Sequence, residues 1–143
     1  MNTLFDASVL VPAMVDQLTN HQRCFSTYAE YSTSPHQGFC AAHTVAECYS
    51  ILTTLPLRRR ISPQDAHQLI RENLSERLTV VSLRPKDYLK ALDRVPGGNV
   101  IGTTIYDVLN LIAAERSECQ RFYTFNGSAL QSVEHGAVEI SAP

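Results

Sequence analysis

The chain has 143 residues, 44% of them hydrophobic and 18% charged, with a formal net charge of −2. That length suits one domain, expected to span residues 1–143, with a real apolar core. The charge excludes a whole-protein basic field for nucleic acid, so any such binding must use local patches, and no apolar run approaches the ~20 residues of a membrane span.

The opening stretch Leu4-Phe5-Asp6-Ala7-Ser8-Val9-Leu10-Val11 organises the reading of the rest. A strand buried in a parallel sheet reads as continuous apolar residues, and a charge inside it is costly unless paired. Asp6 therefore belongs at the carboxyl end of a short strand, facing the crevice where ligands sit in open α/β sheets. Ser8 is placed to cap the helix that follows.

That helix is expected from Ser8 to about Met14, with Pro12 tolerated near its start. Cys24, Phe25, Tyr28, Ala29 and Tyr31 recur at helical spacing over 21–32, and Ser34-Pro35-His36-Gln37-Gly38 breaks the pattern. Phe39-Cys40-Ala41-Ala42 reads as a second strand. Thr44 with Glu47 three residues on has the spacing of a capping box, opening a helix that stops near Pro56. Arg58-Arg59-Arg60 connects to Ser62-Pro63, a helix start.

Leu78 to Leu83 is the clearest β-run. Pro85 opens a helix with Tyr88, Leu89, Leu92 and Val95 on one side, and Pro96-Gly97-Gly98-Asn99 ends it. Thr103 or Thr104 caps a helix through Ile105, Val108, Leu109, Leu111, Ile112 and Ala113. Arg121 to Phe125 is a strand, Asn126-Gly127 a turn, and Ala137 to Ile140 a last strand. Strands alternating with helices at this spacing give an α/β/α sandwich around a parallel sheet of four or five strands.

The four cysteines, Cys24, Cys40, Cys48 and Cys119, form no C-x-x-C pair. With no signal-peptide pattern, they read as buried reduced thiols of a cytoplasmic protein.

Asp6, Glu47 and Asp107 stand in apolar or small-residue settings. Each of the last two, placed in the first turn of a helix, has an ordinary macrodipole explanation. Together in one crevice they repel one another and persist as anions when a cation neutralises them. All-oxygen ligation suits Mg²⁺ or Mn²⁺, which assists in-line displacement at a phosphodiester. His43 and Glu47, four apart on a helix, lack a third ligand for zinc. An aspartyl-phosphatase reading fails because Ser8 stands where that chemistry needs a second acid. Arg58, Arg59 and Arg60, and Lys86, Lys90 and Arg94 at i, i+4 and i+8, are candidate phosphate contacts, with a solvated charged face as the ordinary alternative.

Phe5-Asp6-Ala7-Ser8-Val9-Leu10, Thr44-Val45-Ala46-Glu47, Ile105-Tyr106-Asp107-Val108-Leu109 and Phe122-Tyr123-Thr124-Phe125-Asn126 resemble, in order and spacing, the four motifs of PIN-domain nucleases. Size and spacing are closest to the VapC-type toxins of toxin–antitoxin pairs. The resemblance implies that Asp6, Glu47 and Asp107 bind Mg²⁺ or Mn²⁺, with Ser8 and Thr124 supporting and Asn126 as an optional ligand or positioning group. It also implies endoribonuclease activity, a cognate antitoxin and a homodimer. Asn126 departs from the Asp of many members and removes one negative charge, which disfavours a second ion. That departure also motivates the alternative of a catalytically weak RNA- or protein-binding module on the same scaffold.

Overall fold

The computed structural model describes residues 1–33, 37–96 and 99–143. Of the expected breaks Ser34-Pro35-His36-Gln37-Gly38 and Pro96-Gly97-Gly98-Asn99, residues 34–36 and 97–98 lie outside the described residues, and Gln37 and Gly38 belong not to a break but to the second strand. Five strands, β1 (Asn2–Phe5), β2 (Gln37–Ala41), β3 (Thr79–Val81), β4 (Arg121–Tyr123) and β5 (Glu139–Ser141), form one parallel sheet in the order β3-β2-β1-β4-β5. Six α-helices accompany them: α1 (Ala7–Met14), α2 (His21–Tyr31), α3 (Ala42–Thr54), α4 (Pro63–Ile70), α5 (Pro85–Arg94) and α6 (Thr104–Arg116). The α/β/α sandwich expected from the alternation is the fold observed.

Side chains alternate faces along a strand, and the two apolar clusters follow that period. Phe5, Cys40 and Tyr123 point to one side of the sheet, where α1, α2, α3 and α4 contribute Val9, Tyr28, Leu52 and Ala66. Leu4, Phe39, Ala41 and Phe122 point to the other side, against Val108, Leu111 and Ile112 of α6. Register makes the layers: Leu4 lies beside both Phe39 and Phe122, and Phe5 beside Tyr123. All four cysteines are buried and free.

Space around Gly38 is tight. A Cβ there would stand 2.6 Å from Leu78 Cδ2 and 3.2 Å from the Tyr31 carbonyl oxygen. Gly38→Ala should therefore cost roughly 1–2 kcal/mol through overpacking, read as a lower urea midpoint at unchanged slope.

Several local expectations are corrected. Pro12 sits in the middle of α1, where its ring removes one amide donor from a helix of only eight residues. The Leu78–Leu83 run is only three residues of strand, Thr79–Val81, because it forms a sheet edge with Thr79 and Val80 exposed.

Helix α5 turns its apolar stripe outward. Tyr88, Leu89 and Leu92 are exposed, while Asp87 and Ala91 are buried. The Asp87 carboxylate accepts from the Arg84 amide at 2.8 Å and from Arg116 Nη1 at 3.1 Å, and Arg116 also donates to the Ser82 carbonyl at 2.6 Å. Burial alone would raise the Asp87 pKa, but these donors outweigh it and hold the carboxyl below its usual range. Arg94 pairs with Glu115 of α6 at 2.7 Å, so it leaves the Lys86–Lys90 line and serves the packing of α5 on α6.

Candidate active site: three carboxylates in one crevice

The chain runs outward from β1 to β2 and β3, then returns to place β4 and β5 on the opposite side. Side by side, β1 and β4 therefore form the switch point of the sheet, where the connections leave a crevice beyond the carboxyl ends. Asp6 follows β1 directly, and its amide donates to the Tyr123 carbonyl at the end of β4 at 3.4 Å.

The Asp6 carboxylate is 2% exposed and doubly held. Ser8 Oγ donates to Oδ1 and Thr124 Oγ1 donates to Oδ2, each at 2.6 Å. Both hydroxyls accept a backbone amide at 3.0 Å, Ser8 from Phe125 and Thr124 from Asn126. Since those amides can only donate, each hydroxyl proton is directed at Asp6. Ser8 is thus no helix cap: Asp6 is the N-cap residue of α1, with no side-chain cap bond. The serine's side chain is taken by the acid two residues before it.

Glu47 comes from α3 and Asp107 from the first turn of α6. The expected capping box at Thr44 is absent because β2 runs straight into α3, with Ala41 in extended conformation as N-cap. Helix α3 starts at Ala42, so Glu47 lies in its second turn, away from the macrodipole's positive end. Thr44 is buried and donates to Asn110 Oδ1 of α6 at 3.3 Å, fastening the two helices that carry the acids. Asn110 was not singled out in the sequence; an amide interrupting the apolar run of α6 was the available signal. Asn126 Nδ2 donates to Asp107 Oδ1 at 3.3 Å, so in this arrangement it orients Asp107.

Asp6, Glu47 and Asp107 line one cavity of about 170 Å³, together with Ser8, Tyr106 and Asn126. Burial lifts the Asp6 pKa to about 6; Ser8 and Thr124 oppose the rise, while Asp107 and Glu47 add to it. Burial likewise raises Glu47, with Asp107 adding, and raises Asp107 against the pull of Asn126. Among the described residues, none of the three acids has a salt-bridge partner. No three potential ligands already stand in coordinating array among those residues. The donor set nonetheless fits a hard divalent ion: oxygen only, mutually repelling, and without a protein cation among the described residues of the cavity wall.

His43 stands on α3 one turn before Glu47, and its ring lies 6.1 Å from that of Tyr106. Burial pushes its pKa down, against Asn110 and the Tyr106 backbone, so it adds no positive charge at neutral pH. Arg58, Arg59 and Arg60 are exposed in the connection after α3, and Lys86 and Lys90 are exposed on α5; none lines the cavity.

No protein-family model matches this sequence. It is 29% identical over 109 residues to Ribonuclease VapC27 of Mycobacterium tuberculosis, covering 76% of this chain and 74% of that protein. VapC20 of Mycobacterium tuberculosis, described as a Sarcin-Ricin loop cleaving toxin, superposes with a TM-score of 0.72 at 16% identity, over 92% of this chain and 97% of that one. VapBC2 of Rickettsia felis, solved on a DNA fragment from its promoter, gives 0.67 at 13% identity over 99% of both chains. The chain is thus similar in sequence to a VapC ribonuclease and shares the fold of these VapC structures, with Asp6, Glu47 and Asp107 gathered at the switch point of its parallel sheet.

Proposed function

We propose that this protein, read as a single PIN-like domain over 1–143, is a metal-dependent endoribonuclease, the toxin of a toxin–antitoxin pair, that hydrolyses RNA phosphodiesters. The observation that carries the reading is the convergence of Asp6, Glu47 and Asp107, from three separate elements, on one cavity whose lining, among the described residues, includes no lysine or arginine. Mg²⁺ or Mn²⁺, when bound, supplies the positive charge that polarises the scissile phosphate and acidifies the attacking water. Asp6, locked by two hydroxyls, supplies a carboxylate that does not rotate. Asp107 is oriented by Asn126, and Glu47 completes the set from α3. A neutral amide at Asn126 favours one ion over two.

Partners follow from two surfaces. Met14, Val15, Ile61 and Leu69 line a groove that also carries Asp65 and Glu72, suited to an apolar segment of the antitoxin with basic flanks. The exposed Tyr88, Leu89 and Leu92 on α5 suit a second copy of the chain. Leu89→Asp should then shift the protein from dimer to monomer in sedimentation velocity without moving its far-UV CD spectrum. Arg58, Arg59, Arg60, Lys86 and Lys90 supply exposed charge for the RNA backbone. No described helix is long and apolar enough to cross a membrane, in keeping with a cytoplasmic site of action.

The test is cleavage of total RNA with Mg²⁺ by the wild type, Asp6→Asn and Asp107→Asn. Activity in the wild type alone, abolished by EDTA, is expected. Equal, metal-independent cleavage by all three would remove the proposal. Growth arrest on expression, relieved by the antitoxin, separates the nuclease from a mere binding module.

A further inference from the structure

We infer that Tyr106 is a stacking platform that seats one nucleobase of single-stranded RNA beside the acidic crevice. The inference rests on the nuclease reading and adds to it a residue that positions the substrate. From Asp107 to Ala114 every residue of α6 but none before it is buried, whereas Tyr106 remains 46% exposed at the edge of the cavity it lines. Its ring is tilted 41° to that of His43, with centroids 6.1 Å apart, so packing against α3 orients it. Tyr106 adjoins Asp107 in sequence, and His43 lies one helical turn before Glu47. The ring lines the same cavity as Glu47 and Asp107.

Electrostatics says why a neutral contact is needed there. Three carboxylates face the phosphate chain, and the described lining holds no lysine or arginine to attract it. An ion would serve the phosphate it touches; the flanking nucleotides still meet a negative wall. A nucleobase is uncharged, and every base offers a π-face, so stacking adds affinity without adding charge. Among the described lining residues, Tyr106 alone offers an aromatic ring.

The probe is a short single-stranded RNA carrying one 2-aminopurine, titrated with the protein in Ca²⁺, alongside Mg²⁺-dependent cleavage of the same RNA. Tyr106→Ala should weaken binding between about 5- and 150-fold, the range of one base–aromatic stack. Tyr106→Phe should stay within about twofold, and Tyr106→Leu, which refills the space without a π-face, should lose as much as Ala. The Ala deficit should stay constant between about 50 and 200 mM salt, since stacking releases no counterions. In cleavage the loss should fall on KM, with kcat within about twofold. Quenching of 2-aminopurine by the wild type and the Phe variant, and not by Leu or Ala, is the supporting signature. Leu binding as well as Phe, Ala binding as the wild type, or Phe failing with Ala would each overturn the inference. A wild type that cleaves while all variants bind alike defeats the stacking role and leaves the nuclease reading. A wild type that binds and quenches without cleaving does the reverse.

Discussion

Asp6→Asn is expected to abolish RNA cleavage and, in the same molecule, to raise the stability of the metal-free protein at pH 7. Asp6 is 2% exposed, and its pKa stands at about 6 against an ordinary 3.8. The folded state thus binds the proton more tightly than the unfolded chain. Stability is unaffected below pH ~4, falls as pH rises from ~4 to ~6, and stays lowered above that. The difference corresponds to about 3 kcal/mol, most of it the cost of keeping an anion out of water. Asparagine removes the charge, but its NH₂ must face one of two hydroxyls that both donate, so a net gain of about 1–2 kcal/mol is expected. In a chain of this size that is roughly 2–8 °C in Tm. Mg²⁺ should reverse the order, stabilising the wild type by mass action and leaving the variant unmoved. Thermal melts in EDTA and in Mg²⁺, at pH 4 and pH 7.5, check all three statements. A variant less stable than wild type in EDTA at pH 7.5 would show that the buried carboxylate is stabilising as it stands.

Thr124→Val should act in the opposite sense, costing about 2–4 kcal/mol at pH 8 in EDTA. The isosteric methyl removes the 2.6 Å donor to Asp6 Oδ2 and leaves the Asn126 amide without its 3.0 Å acceptor. A hydrogen bond to a charged group contributes roughly 1.5–3 kcal/mol, and a stranded amide adds to the loss. Thr124 lowers the Asp6 pKa in the native protein. Without it the carboxyl rises further above its unfolded value, so the loss of stability with rising pH continues beyond pH 6. Thr124→Ser keeps the hydroxyl and should restore both stability and cleavage. Urea unfolding at pH 5 and pH 8 distinguishes this from simple cavity effects, which do not depend on pH. Equal stability of Thr124→Val and wild type at pH 8 would contradict the clamp.

Much of this was legible from residue order. An apolar run ending in an acid, helices at 3.6 spacing between short strands, and Ser62-Pro63 as a helix start are local patterns, and local sterics and burial suffice to read them. Ser62 does accept the Asp65 amide at 3.1 Å. The same reading misassigned Ser8 and Thr44 as caps, because a hydroxyl near a helix start looks alike whether its partner is the first turn's backbone or a group that the tertiary fold presents to it. Ser8 turned to Asp6 and Phe125, and Thr44 to Asn110.

What residue order determined by itself is the period of each segment, and hence which side chains share a face. It also determined which acids were available to meet. Which face would be covered was left to tertiary structure: α5 buries Asp87 and exposes Leu89 because Arg84 and Arg116 neutralise the acid, while no described segment packs over the leucine. Tertiary structure alone also decided that Asn126 would orient Asp107, and that the crevice would form without a positive side chain among the described residues of its wall. The physical reason is range. Periodicity is set by backbone geometry within a few residues, whereas the surroundings of a charge depend on strands and helices that only the sheet order brings together.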